Sequence, residues 1–280
     1  MLKSETIKSG QERINNINIP KIIFIVPYRN RENDYTHFTV YMKYLLEDIP
    51  RKDYMIYISH QHDERAFNRG ATKNIGFLAI REKYPNDYKD ITFVFHDIDV
   101  LPYKKNLLDY TTVKGTVKHF YGFDYALGGI FSITGADFEE IKGFPNFWGW
   151  GWEDNVINKR CIDNGIIIDR SRFYPIAHPE FIHTSMQRTK LLNNKRPDIN
   201  RCEHDNLDTL RDVKYSIIDD PSCNTISTIQ IDYFNTVLDY STNRFYIQDL
   251  VDNRVISRDH SQSILQKFNK SRWSLQILGK

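Results

Sequence analysis

The sequence predicts an α/β fold, a sheet with helices on both faces. Three observations predict it. Short apolar runs alternate with amphipathic stretches over most of the first two hundred residues. Proline, glycine or charge closes each run. Polar clusters fall at the predicted strand ends, in "PYRNR" and "HDID", and in the loops around "GWGWED". Alternating strands and helices build such a sheet, and ligands bind outside the carboxyl ends of its strands.

The elements follow in order. Residues 1–20 read as a polar, loosely held arm. "KIIFIVPYRNR" is an apolar run stopped by Pro27 and charge, the pattern of a buried parallel strand entering a loop. "THFTVYMKYLLEDI" has helical spacing, and "YMIYISHQ" is a second strand. "FNRGATKNIGFLAIREKY" starts polar and continues as an amphipathic helix. "DITFVFHDIDVLP" is a third strand ending in acids, and "YALGGIFSIT" a fourth with paired glycines. "GADFEEIKGFP" is a short helix stopped by Gly143, and "EDNVINKRCIDNGI" is another helix ended by glycine. From residue 200 the chain turns strand-like with Asn and Asp turns. The expected domains are therefore 21–199 for the α/β unit and 200–280 for an appended β-rich subdomain.

Composition bounds the function. With 280 residues, 40% hydrophobic and 26% charged, the chain can bury a real core. A net charge of +2 gives no field that favours nucleic acid or a membrane surface. Cys161, Cys202 and Cys223 are too sparse for a disulfide framework and suit a reducing compartment. The polar N-terminus has no apolar signal core, and no run reaches the roughly 18 residues that span a bilayer, so a soluble protein is expected.

Asp97 and Asp99 in "HDID" stand two apart at a predicted strand end. Strand side chains alternate, so both carboxylates can share a face. Hard oxygen ligands with open positions suit a divalent cation carrying a diphosphate; a solvated turn has the same spelling. "HPEFIHTS" offers His178 and His183 as nitrogen ligands, and carboxylate plus imidazole suits Mn²⁺. Isolated histidines more often simply pack or face solvent. Arg29 and Arg31 follow a strand, and guanidinium groups grip phosphate and stack on rings. Phe67 and Arg69 add a ring and a cation suited to a nucleobase and its phosphates. Each alone also fits a surface loop. In "NFWGWGWEDN", indole faces between glycines suit the C–H face of a sugar. Glu153 and Asp154 beside them can accept hydroxyl hydrogen bonds or take a proton. The alternative is a core tryptophan cluster in a tight turn.

In this order "PYRNR" (27–31), "FNR" (67–69), "HDID" (96–99), "GG" (128–129), "GFPNFWGWGWEDN" (143–155) and "FIH" (181–183) resemble the motifs of the β-1,4-galactosyltransferase family, over about residues 20–190. "GWGWED" is also similar to the acceptor motif of chondroitin-polymerase and polypeptide N-acetylgalactosaminyltransferase catalytic domains. The resemblance implies a GT-A, Rossmann-like fold, a UDP-sugar donor, an inverting transfer and Mn²⁺, with Mg²⁺ the other metal considered. The implied reaction moves a hexose or N-acetylhexosamine to a hydroxyl of a glycan, glycoprotein or glycolipid acceptor. The rival is a sugar-binding module or inactive transferase, against which the intact Asp97, Asp99, Glu153 and Asp154 argue.

Carried over residue by residue, the resemblance gives the metal to Asp99 and His183 and the donor to Asp97. Pro27, Arg29, Arg31, Phe67, Arg69 and Gly129 fall in the nucleotide and phosphate pocket. Trp150 walls the sugar site with Trp152 next to it, Glu153 holds the acceptor, and Asp154 is the base. There are departures. The family's methionine ligand falls on Glu180, so Glu180 joins the metal or His183 serves without it. The third acid of the family's run is Asn155, and Trp152 replaces a glycine. The family's bulky tyrosine falls on Ala126, with Tyr125 the other candidate for its role; a small residue there leaves room for an N-acetyl group. Thr92 replaces a disulfide cysteine of several animal members, and no Golgi anchor is visible. These departures imply a cytoplasmic protein of microbial or viral origin.

Overall fold

The structure, a computed structural model, describes residues 18–184, 189–193 and 202–259. Most of the expected N-terminal arm lies outside that range. In chain order the elements begin with β1 (Ile22–Tyr28), α1 (Glu32–Leu45), β2 (Tyr54–Gln61), α2 (Arg69–Lys83) and β3 (Thr92–His96). Then come β4 (Val100–Pro102), β5 (Thr116–Gly122), β6 (Ile130–Thr134), α3 (Gly135–Glu140) and α4 (Glu153–Asp163). After these lie β7 (Ile167–Asp169), β8 (Tyr174–Pro175), β9 (Phe181–His183) and β10 (Thr189–Asn193). The last are β11 (Arg211–Asp219), β12 (Ile226–Asn235), β13 (Phe245–Asp249) and β14 (Val255–Asp259).

Among the described residues, the main sheet has the order β11-β12-β2-β1-β3-β6-β5-β7, with β8 also on β5. β1 is central and parallel to both β2 and β3. All seven of its residues are buried, which is why it shows an unbroken apolar run rather than alternation. Ile23 and Ile25 face the layer that holds Ile75 and Phe77 of α2. Phe24 and Val26 face Phe38 and Met42 of α1. Burial of each such side chain contributes on the order of 1.5–3 kcal/mol, so the two layers fix the sheet between them.

The predicted α/β class and the helices on both faces are present. Three differences bear on the site. The third predicted strand is two strands, because the chain leaves the sheet at "HDID": β3 ends at His96, and β4 pairs instead with β9. β5 was not read from the sequence, since Lys118 interrupts its apolar pattern; it joins β6 antiparallel. Residues 211–235 are not an appendage. β12 lies parallel to β2 with Ile226 beside Ile56, and β11 extends the same sheet. Ile229, Ile231 and Phe234 are fully buried in the core, so the expected boundary at residue 200 cuts through a shared hydrophobic layer. β13 lies between β10 and β14 in a separate three-stranded sheet.

Candidate active site

A cleft of about 1030 Å³ opens above the carboxyl ends of β1 and β3, large enough for a sizeable ligand. Pro27, Arg29, Arg31, Phe67, Arg69, Asp97, Asp99, Gly129, Trp150, Trp152, Glu153, Asp154 and His183 all line it. Residues far apart in the chain meet there because β1, α2, β3 and α4 all end or begin at that edge.

Arg69 is the hub of the cleft floor. It sits in the first turn of α2, whose N-cap Asn68 accepts from Ala71 N–H at 2.9 Å. Its Nη1 donates to Glu153 Oε1 at 2.7 Å and to both Asp154 oxygens at 2.8 and 2.9 Å. Its Nη2 donates to Asp97. One guanidinium thus gathers three carboxylates, as its fork of donors permits. Burial opposes ionisation of Asp97, but Arg69 and Lys73 outweigh it and hold its carboxyl below the usual range. Burial, and then the neighbouring Asp154, push Glu153 up. Glu153 and Asp154 also occupy the first turn of α4, where the helix dipole favours acids.

Lys73 was missed by the sequence reading. It is one helical turn beyond Arg69, 1% exposed, with Nζ 3.4 Å from Asp154 Oδ1 and 4.4 Å from the Phe144 ring. Burial pulls its pKa down, with Arg69 adding to the effect. The available signal was the i,i+4 spacing of Arg69 and Lys73, which puts both on one helix face. Gly128 was singled out only as half of a glycine pair. A Cβ there would stand 2.5 Å from Asp154 Oδ2, so only glycine leaves that carboxylate its place.

Asp99 and His183 meet through pairing of β4 with β9. Val100 is the register partner of His183, and Thr184 N–H donates to Asp99 O at 3.0 Å. Asp99 Oδ2 accepts from Arg31 Nη2 at 2.9 Å, and Arg31 Nε also holds Asp34 at 2.7 Å. Tyr121 Oη accepts from Ala177 N–H at 3.1 Å and lies 2.7 Å from His183 Nε2. The Nε2–H tautomer of His183 donates to this phenol oxygen and leaves the Nδ1 lone pair for a metal. Asp97 and Asp99 do not act as a matched pair: one faces Arg69 and the other Arg31.

Two expected residues lie outside the cleft. Glu180 precedes β9 on the opposite side of the strand from His183 and is 3.1 Å from Lys104 Nζ; the alternation that points His183 inward points Glu180 away. His178 packs edge-on against Tyr174 and accepts from Glu180 N–H. Arg29 lines the cleft but is held by Gln61 O at 3.2 Å and Asp63 at 3.5 Å.

The tryptophans divide. Trp148 is core: it stacks on Phe234 at 5.2 Å and donates Nε1–H to Thr236. Trp150 and Trp152 are 56% and 39% exposed at the cleft. Gly149 at φ +88° makes the turn between the two environments. Trp152 caps α4 at φ +75°, a left-handed conformation that costs a non-glycine residue about 1–2 kcal/mol.

Comparison with known proteins agrees with this geometry. Residues 8–111 match the family described as the N-terminal region of glycosyl transferase group 7, and residues 111–185 match the N-terminal domain of galactosyltransferase. The chain is 33% identical over 196 residues to β-1,4-galactosyltransferase 2 of Homo sapiens, covering 61% of this chain and 50% of that protein. It is 32% identical over 163 residues to β-1,4-galactosyltransferase 1 of Bos taurus, covering 54% and 38%. The chain thus spans about half or less of the length of these relatives. A mutant Drosophila β-1,4-galactosyltransferase 7, solved with manganese, UDP-Gal and xylobiose, superposes with a TM-score of 0.60 at 21% identity, over 79% of this chain and 96% of that one. That likeness shows the GT-A fold. The named relatives are animal proteins, which overturns the expected microbial or viral, cytoplasmic origin; no described helix is long and apolar enough to cross a membrane. With two adjoining family matches running from residue 8 to residue 185, the chain belongs to the β-1,4-galactosyltransferase family.

Proposed function

We propose that the chain is an inverting, metal-dependent glycosyltransferase that moves a hexose or N-acetylhexosamine from a UDP-sugar to a hydroxyl of a glycan acceptor. The single observation that carries this reading is that the Asp154 carboxylate, held by Arg69, lines the same cleft as Asp99 and His183. Inversion is one displacement: the acceptor hydroxyl attacks the anomeric carbon, the bond to UDP breaks, and the hydroxyl proton passes to a base on the acceptor side. Asp154 is that base, Glu153 orients the acceptor, and Trp150 packs on a sugar face. Asp97 holds the donor, in a pocket that the arginines line.

Asp99 and His183 fit a divalent metal. One offers carboxylate oxygens, the other an imidazole lone pair, and both suit Mn²⁺. No group of three or more His, Cys, Asp or Glu is assembled among the described residues; Asp99 and His183 would hold the ion, and donor diphosphate oxygens would supply further ligands. When bound, the ion would stabilise the charge of the departing diphosphate. Manganese and UDP-Gal in the solved Drosophila relative support both assignments.

The test is UDP release from UDP-Gal and UDP-GalNAc with Mn²⁺, with and without a sugar acceptor, in wild type and Asp154→Asn. A loss of ~10²-fold or more in kcat, with UDP-sugar affinity kept, is expected from removing a general base. Donor affinity lost with kcat kept would overturn the role of Asp154. Binding of sugars without any UDP release would favour a lectin-like module.

A further inference from the structure

We infer that Lys190, lying over Trp150, makes the acceptor end of the cleft a subsite for an anionic saccharide, one whose ring carries a carboxylate or sulfate. This rests on the glycosyltransferase reading above. Lys190 Nζ is 4.5 Å from the centroid of the Trp150 ring. That indole is more than half exposed at the cleft and is the platform on which a sugar ring packs. Trp150 N–H donates to Leu191 O at 2.9 Å, so platform and lysine are locked to each other by backbone. In the β10–β13 pair, Lys190 lies opposite Gln248 and Leu192 opposite Tyr246. Alternation puts these four side chains on one face, and all four line the cleft.

The charge pattern decides the ligand class. The other cleft cations are already paired: Arg29 with Asp63, Arg31 with Asp34 and Asp99, and Arg69 with Asp97, Glu153 and Asp154. Lys190 has no carboxylate within ion-pair distance among the described residues; its neighbour is the indole face. A flexible ammonium resting on a ring is free to swing aside to an anion at the edge of a saccharide that takes its place on the indole face. β10 and β13 also lie beyond residue 185, where the family match ends, so this wall is not part of the matched catalytic region.

The experiment compares three acceptors that differ only in charge: a neutral hexoside, the matching hexuronoside and the 6-sulfated hexoside. Each is offered with UDP-sugar and Mn²⁺ to wild type, Lys190→Gln and Lys190→Arg. A kcat/KM preference of ~5-fold for one or both anionic acceptors is expected, the size of a partly exposed ion pair. It should shrink as salt rises, vanish in Lys190→Gln and persist in Lys190→Arg. The uronide and sulfate arms tell the two anion sources apart. Equal use of all three by wild type, or a preference that survives Lys190→Gln, would overturn the inference. UDP release to water without acceptor reports separately on the catalytic reading. Quenching of tryptophan fluorescence by the uronide with UDP and Mn²⁺ present, absent in Lys190→Gln, tests the subsite even without turnover.

Discussion

Gly128→Ala tests the geometry of the cleft floor with a single methyl group. Its β-carbon would lie 2.5 Å from Asp154 Oδ2 and 3.0 Å from Asp154 Cγ. Ordinary contact begins at 3.4 Å, so the carboxylate must move by about 0.9 Å. It cannot move at no cost, because Arg69 holds both oxygens at 2.8 and 2.9 Å and Lys73 stands 3.4 Å from Oδ1. The backbone of residue 128 is not in the left-handed region, so alanine brings no strain of its own. A misplacement of about 1 Å at a reacting group can cost 10²-fold in rate. We therefore expect kcat for sugar transfer to fall by roughly 10²-fold, with thermal stability lowered by about 1–3 kcal/mol as for other overpacked sites. The assay is steady-state UDP release with UDP-Gal and Mn²⁺, alongside thermal unfolding and UDP binding. Wild-type kcat in a folded Gly128→Ala would show that the position of Asp154 does not matter to the chemistry.

Three further outcomes are expected. Chelator should abolish turnover and Mn²⁺ restore it better than Ca²⁺, which seeks more oxygen ligands at longer distances; Asp99→Ala should not be rescued, while Glu180→Ala, outside the cleft, should keep its metal dependence. Ala126 lines the cleft, so wild type should accept UDP-GalNAc at least as well as UDP-Gal, and Ala126→Tyr should shift the ratio toward UDP-Gal; a ratio unchanged by the substitution would remove Ala126 from the donor pocket. Burial lowers the pKa of His96 from 6.5 to about 4, so the folded state binds fewer protons than the unfolded one between those values. Its contribution is present above pH 6.5 and is lost as pH falls toward 4, about 3 kcal/mol in all at ~1.4 kcal/mol per unit; denaturant titrations of His96→Phe across that range should show a flatter slope, and an unchanged slope would refute the assignment.

The sequence by itself determined the parts of this protein that rest on local pattern. Unbroken apolar runs marked β1, β2 and β3, because strands buried on both faces need apolar residues at every position. The order of "PYRNR", "FNR", "HDID", "GG" and "GWGWED" marked the residues that line the cleft, since strand ends in an α/β sheet converge on one edge. What pairs with what was decided only by tertiary structure, because an ion pair or a strand partner depends on contacts across long sequence separations. Nothing local says that Arg69 takes Asp97, Glu153 and Asp154 together, or that Lys73 lies buried beside them. Nothing local separates Trp148 in the core from Trp150 in the cleft; Phe234, some eighty residues on, does that by stacking on one of them. Nor does composition tell that β12 belongs to the main sheet, since a strand's neighbour is chosen by which open edge and hydrophobic layer it can cover.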